Sequence, residues 1–272
     1  MIAGSAGFDL GPAILFCPAD RPGRYVKALA RADAVILDLE DAVGPDDKDA
    51  GRAALLAHPV DPARAIVRVN GFSTEQFEAD LAALAKTAYR RVMLPKATSA
   101  AEVGALRNYE VIALCETAAG VLAAAELAAV DHVVALMWGA EDLVASLGGT
   151  SSRFSDGSYR DVARFARSSV LLAGAANNTA VIDSVHLDIA DTAGLQAEAE
   201  DAAAVGFAAT ACIHPSQVAV IREAYAPTAT QLQHARAVLA ASESEHGVFA
   251  FEGQMVDEPV LRHARNVVAR TR

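Results

Sequence analysis

Positive charge is scarce in this chain: 23 Lys and Arg stand against 34 Asp and Glu, a formal net charge of −11 over 272 residues. That balance argues against nucleic acid or an anionic membrane as a bulk partner. Cysteine is scarce too. Cys17, Cys115 and Cys212 are odd in number, lie in apolar runs and lack metal-ligand spacing, so they read as buried thiols of a reducing compartment. No apolar run approaches the roughly 20 residues that span a bilayer. Residues 1–10 lack the basic start and apolar stretch of a signal peptide, so a cytoplasmic protein is expected. Internal repeats and low-complexity linkers are missing as well.

What the chain does have is apolar mass. Hydrophobic residues make up 53% of it, mean hydropathy is +0.24, and the length suits one α/β barrel. Runs rich in Val, Ile and Leu occur at residues 13–18, 34–39, 65–70, 91–95, 110–115, 132–138, 179–185 and 209–214. They are nearly continuous in apolar character, as parallel strands covered on both faces are. Ala-rich segments of helical period lie between them. In 159–176, Val162, Phe165, Ala166, Ser169, Val170 and Ala173 recur at helical spacing and predict that helix's buried face. Ser99 and Glu102 have the spacing of a capping box opening the helix after the fourth strand.

Eight strand–helix units in series predict an α/β fold, a closed (β/α)8 TIM barrel over residues 1–226. The rival is a doubly wound open sheet, and its dinucleotide-binding version is weakened because no Gly-x-Gly-x-x-Gly follows the first strand. Residues 227–272 exceed what one closing helix needs. They predict a C-terminal helical extension: a helix over 231–242, an irregular stretch over 246–257 and a terminal helix from Pro259. It would serve as a cap over the barrel or as an arm reaching a neighbouring subunit.

In such barrels the active site lies at the C-terminal ends of the strands. Those ends are polar here: Asp38, Glu40 and Asp41; Arg68 and Asn70; Lys96; Glu116; Glu141 and Asp142; His214 and Pro215. Acidic groups this close repel unless cations offset them. Arg68 and Lys96 can neutralise some, and a divalent cation would account for more. Oxygen donors without a Cys or His cluster favour magnesium, with manganese possible, over zinc, and Glu116 and Asp142 stand at the tips of adjacent strands. Taken singly, each of these carboxylates could merely cap a helix or pair with a base. Asp20, Arg21, Pro22, Gly23, Arg24 and Lys27 combine a loop, a helix start and three basic side chains, a grip for the phosphates of a nucleotide-like tail or simply a solvated helix start. His214 reads first as a buried, hydrogen-bonded histidine; with Pro215 it is also a candidate for the cofactor-binding edge.

At these residues the chain resembles the citrate lyase β-subunit family, within the magnesium-dependent pyruvate-type aldolases. The resemblance rests on Leu15-Phe-Cys-Pro-Ala-Asp-Arg-Pro22, Val35-Ile-Leu-Asp-Leu-Glu-Asp41, Val67-Arg-Val-Asn70, Met93-Leu-Pro-Lys96, Glu116-Thr117, Trp138-Gly-Ala-Glu-Asp-Leu143, Cys212-Ile-His-Pro-Ser-Gln217 and Gly253-Gln-Met-Val-Asp257. Each motif is modest, but together and in order they are specific. The likeness is greatest to the stand-alone, mycobacterial-type members, which act as β-hydroxyacyl-CoA lyases. It implies Glu116 and Asp142 as direct magnesium ligands, and Arg68 as the group binding the thioester carbonyl or a substrate carboxylate. Glu40 and Asp41 would organise metal-bound water, and Lys96 would balance charge. Asp257, from a neighbour's tail in a homotrimer, would exchange the proton at the acyl α-carbon. The partners implied are a CoA thioester and a keto acid. Other readings are a citrate lyase β subunit acting on carrier-bound citryl, an aldolase for free hydroxy acids, and a non-catalytic ligand-binding barrel.

Overall fold

A computed structural model describes residues 8–245 and 247–271. The first six strands and seven helices run as follows: β1 (Ala13–Pro18), α1 (Tyr25–Arg31), β2 (Ala34–Asp38), α2 (Lys48–Ala57), β3 (Ala65–Arg68), α3 (Gln76–Leu84), β4 (Arg91–Leu94), α4 (Ala100–Gly104), β5 (Glu110–Cys115), α5 (Ala118–Leu122), α6 (Ala124–Ala128), β6 (Val133–Trp138) and α7 (Ala140–Ser146). Then come α8 (Asp161–Ala176), β7 (Ala180–Asp183), α9 (Thr192–Val205), β8 (Ala209–Cys212) and α10 (Gln217–Tyr225). The eight strands are all parallel and close into a barrel through β1 and β8, with Ile14 opposite Ala211. The open-sheet rival is thereby set aside. Several strands stop one or two residues before their apolar runs do, because the polar residues that follow leave the ladder to form the rim.

Side chains alternate across each strand. Ile14, Ile36, Ile66, Met93, Ile112, Met137, Ile182 and Ala211 take the interior positions and fill the barrel. The three cysteines are buried, as expected; burial pushes the Cys17 thiol up to about 11, which leaves it inert.

Two helical expectations are corrected. The buried face of α8 is Ala163, Ala166, Val170, Ala173 and Gly174, while Val162 and Phe165 point outward. Small residues win because helix and strand approach closely: a Cβ on Gly174 would lie 2.3 Å from Val181 Cγ2. The Ser99 box is only half formed. Ser99 Oγ accepts from Glu102 N–H at 3.4 Å, but the Glu102 carboxylate accepts from Thr98 N–H (2.8 Å) and Oγ1 (2.7 Å) instead of Ser99.

The chain divides into two compact units, Met1–Ile221 and Arg222–Arg272, with the break inside α10. The second unit holds α11 (Ala229–Ala241), β9 (Phe249–Phe251), β10 (Gln254–Val256) and α12 (Glu258–Ala269). The stretch expected to be irregular therefore contains a hairpin, turned by Glu252 (φ 48°) and Gly253 (φ 80°) as the right-handed strand twist requires; His246 lies outside the described residues. Thr228 and Gln231 form a complete capping box on α11. Ala235, Val238, Val256 and Ala264 make this unit's own core.

Gly174→Ala is expected to destabilise the protein by about 1–3 kcal/mol through overpacking against Val181. A thermal melt showing an unchanged midpoint would refute that account of the α8 face.

Candidate active site

Continuing the interior alternation one step takes Asp38, Arg68 and Glu116 into the barrel mouth. Asp38 and Arg68 are direct register partners on β2 and β3. Arg68 Nε donates to Asp38 Oδ1 at 2.7 Å and Nη2 to Oδ2 at 2.6 Å, a bidentate, charge-assisted pair. Its Nη1 lies 2.8 Å from Glu40 Oε2, an ion-pair contact without an aligned hydrogen bond. Asp38 also accepts from the N–H groups of Glu40 (2.9 Å) and Ala42 (3.2 Å), which folds the loop after β2 back over the mouth.

Lys96 follows β4 with φ 51°, a left-handed backbone that is costly for a side-chain-bearing residue. That turn aims its N–H at Glu116 Oε1, 3.1 Å away. Its ammonium donates to Glu40, with Asp41 Oδ2 at 3.5 Å and Asp142 Oδ1 at 3.7 Å. Burial works against the Lys96 charge, but the neighbouring carboxylates hold it protonated above its ordinary range. The register pairs Cys115 with Trp138, so the next residues, Glu116 and Gly139, lie side by side. A Cβ on Gly139 would come 2.9 Å from both Cβ and Oε2 of Glu116. Only glycine lets α7, which carries Asp142 in its first turn, start this close to the Glu116 carboxylate.

The mouth therefore gathers Glu40, Asp41, Arg68, Lys96, Glu116 and Asp142, all expected from sequence. It also uses residues whose part was not foreseen. Lys48, buried, donates to the carbonyls of Leu39 and Glu40, each at 2.7 Å, and pins the loop after β2. Asn70 reaches the Leu39 carbonyl at 3.1 Å, and its amide is held by the buried Asp80 at 2.7 Å. A cleft of about 320 Å³ opens at the tips of β2, β3 and β4, lined by Glu40, Asp41, Lys48, Asn70, Phe72 and Lys96 among others.

The remaining candidates of the first unit lie outside this network. Arg21, Arg24 and Lys27 are exposed around the start of the seven-residue α1, with Arg21 Nε 3.1 Å from Asp20 Oδ2, and none lines the cleft. His214 is exposed, not buried: β8 ends at Cys212, and the ring turns out to meet Ser216 Oγ at 2.7 Å. Pro215 follows it in the same loop. Gln217, unforeseen, ties that loop down by accepting from the N–H groups of Ile213 (3.0 Å) and His214 (3.1 Å). Asp257 belongs to the second unit, where it caps α12 by accepting from Val260 N–H at 3.2 Å.

Burial pushes the Glu116 carboxyl up to about 8, with Asp142 and Glu40 adding to the rise against Lys96 and Arg68. Negative charge here exceeds what the protein's own cations balance. Among the described residues no three His, Cys, Asp or Glu side chains converge on one point. Two carboxylates with further oxygens from water and ligand are what a hard dication such as magnesium ordinarily takes. Glu116 and Asp142 fit that description.

The chain matches the model of the HpcH/HpaI aldolase/citrate lyase family over residues 13–215. It is 60% identical over 260 residues to a citrate lyase subunit beta-like protein of Mycobacterium tuberculosis, covering 96% of this chain and 95% of that one. A crystal structure of M. tuberculosis CitE in complex with magnesium, acetoacetate and coenzyme A superposes with a TM-score of 0.93 at 60% identity, covering 96% of this chain and 98% of that one. A (3S)-malyl-CoA thioesterase of Cereibacter sphaeroides is 33% identical, covering 94% and 93% of the two chains.

A glutamate whose folded-state pKa is raised contributes stability below its unfolded value and loses it as pH climbs through the folded one. The metal-free protein should therefore melt lower at about pH 9 than at about pH 5.5 by roughly 5 °C or more. Glu116→Gln should flatten that difference. Parallel melting curves for the two proteins would remove Glu116 as the source.

Proposed function

The chain belongs to the HpcH/HpaI aldolase/citrate lyase family, and from that premise we propose that it is a magnesium-dependent carbon–carbon lyase. It cleaves or forms a β-hydroxyacyl-CoA thioester, giving an acyl-CoA and a keto acid. The observation that carries this reading is the buried Glu116 beside Asp142, two oxygen donors on the rim of adjacent strands. The presence of magnesium, acetoacetate and coenzyme A together in CitE supports it.

Cleavage passes the β-hydroxyl proton to water held at Glu40 and Asp41, breaks the Cα–Cβ bond and leaves its electron pair as a thioester enolate while the keto acid departs. Held by Glu116 and Asp142, magnesium would supply Lewis acidity toward the hydroxyl and carboxylate oxygens of the keto-acid half. The developing enolate oxygen needs fixed positive charge. Arg68 has five N–H donors, and those not engaged by Asp38 and Glu40 are available for that oxygen or for a substrate carboxylate. Its anchoring makes the charge immobile, so little reorganisation is needed at the moment of reaction. Glu40 and Asp41 orient water, and Lys96 offsets their charge. Arg21, Arg24 and Lys27 are free to meet the phosphates of the CoA tail, with His214 and Pro215 on the cofactor edge.

Asp257, supplied by a neighbouring subunit of a homotrimer, protonates the enolate carbon; in condensation it takes the α-proton. The cap bond to Val260 fixes its rotamer. Asp257→Asn should lower kcat by about 10²-fold or more while KM moves little. Mixed with Glu116→Gln under conditions of subunit exchange, it should regain part of the activity, since some mouths then combine two intact halves. Equal losses in kcat and KM, or mixtures that stay inactive, would reject this role.

A panel of malyl-, citramalyl-, citryl- and hydroxymethylglutaryl-CoA tests the reaction class. At least one should yield keto acid and acyl-CoA, EDTA should abolish turnover and Mg²⁺ should restore it. Undiminished turnover in EDTA would end the metal-dependent reading. A second reading, hydrolysis of the thioester after condensation, is favoured by the thioesterase relative. Release of free CoA thiol in step with product separates the two.

A further inference from the structure

Trp138 is the only tryptophan in the chain. It ends β6 immediately before Gly139, Ala140, Glu141 and Asp142, and it is completely buried. Met137 pairs with Ile182 in the register, which brings Trp138 level with Asp183 at the tip of β7. Both alternate to the outside of the barrel wall, opposite to the inward Met137 and Ile182. There Trp138 Nε1–H donates to Asp183 Oδ1 at 2.5 Å.

Asp183 is itself held from the helix layer. Arg167 of α8 donates to it through Nε (3.1 and 3.2 Å to the two oxygens) and Nη2 (2.8 Å). On the other side of the wall the next residue, Ser184, accepts from Ala140 N–H at 3.4 Å. In the first turn of α7, Glu141 Oε1 accepts from Ser152 Oγ at 2.5 Å. The strand tip that launches α7 is thus gripped at Trp138, Ala140 and Glu141, while Gly139 presses against Glu116.

We propose that Asp183 and Trp138 are positioning residues, a clamp behind the barrel wall that sets how Asp142 stands relative to Glu116. This rests on the reading of Glu116 and Asp142 as the cation's ligands. The Asp183–Trp138 bond lies on the outer side of the barrel wall. It acts through the backbone, and because the acceptor is a carboxylate the bond is charge-assisted and directional. Outer partners that orient metal-ligating groups are worth about 10- to 100-fold in metal affinity. His186, also buried in this region, is engaged elsewhere: its Nδ1 meets Glu198 Oε2 at 2.9 Å.

The test compares Mg²⁺ binding by calorimetry in the full-length wild type, Trp138→Phe and Asp183→Asn, well below their melting temperatures. Trp138→Phe removes the indole N–H and keeps an aromatic ring; Asp183→Asn removes the charge and keeps the shape. Each should weaken Mg²⁺ binding about 10-fold and raise the KM for keto acid in condensation more than it lowers kcat. In the wild type, the single tryptophan's emission should follow the same binding curve as the heat. If Asp183→Asn does not fold, Trp138→Phe decides. Binding within twofold of wild type in Trp138→Phe overturns the clamp while leaving the metal site standing. A wild type with no saturable Mg²⁺ response overturns the metal reading and the clamp together.

Discussion

Like charges crowd the mouth of this barrel, and the way they are balanced governs what the rest of the site can do. Asp38, Glu40 and Glu116 are buried on one rim, and Asp142 adjoins them. Arg68 and Lys96 pair with them directly. Arg68 spends two of its nitrogens on Asp38 and approaches Glu40 with the third, and Lys96 takes Glu40. A buried pair is costly to break because the survivor is left uncompensated, so these two cations are tied to the carboxylates of the β2 side. Glu116 is left with a backbone N–H and distant positive charge. The imbalance falls where the two oxygen donors of adjacent strands meet.

That asymmetry follows from the barrel's geometry. Parallel strands place residues of equal register at one height, and the two-residue period decides which of them face inward. Asp38 meets Arg68 because they are opposed on β2 and β3, and Glu116 meets Gly139 because Cys115 is opposed to Trp138. The loops then adjust the details. Lys48 reaches back to two carbonyls of the loop after β2, and the strained turn at Lys96 trades backbone comfort for an N–H aimed at a carboxylate. Loops that carry chemistry are here held by buried side chains, so their precision comes from the scaffold.

Much of this was legible in the amino-acid sequence because it is periodic. Eight apolar runs with polar tips report strands and rim directly, and the acidic tips advertised a site before any coordinate was known. What stayed hidden was pairwise. Nothing local says that Lys48 serves the carbonyl of Leu39, that Asp80 holds Asn70, or that Asp183 receives the indole of Trp138, 45 residues away. The α8 face was misread for a related reason. Periodicity ranks residues by hydrophobicity, whereas a helix lying close on a strand selects for smallness, so Ala163 and Gly174 go in and Phe165 stays out. The meaning of Gly139 likewise appears only once the register sets Glu116 beside it. His214 was misplaced because the apolar run was carried two residues past the end of β8.

The same electrostatic arrangement bears on how the chemistry could diverge on this scaffold. Carbon–carbon cleavage puts negative charge on the thioester oxygen as an enolate, and hydrolysis puts it there as a tetrahedral oxyanion. A fixed cation beside that oxygen lowers both barriers, and Arg68 is held fixed at the mouth by Asp38. The choice between them then depends on what approaches from the opposite side: a carboxylate poised at the α-carbon, or a water aimed at the carbonyl carbon. A carboxylate delivered by a separate compact unit, held in one rotamer by a helix cap, can be repositioned without disturbing the balanced charges of the barrel mouth. Residues 222–272 form a compact unit with its own small core and with Asp257 at the head of α12. Rigid charge balance in a barrel wall and the placement of a proton carrier are therefore physically separable requirements.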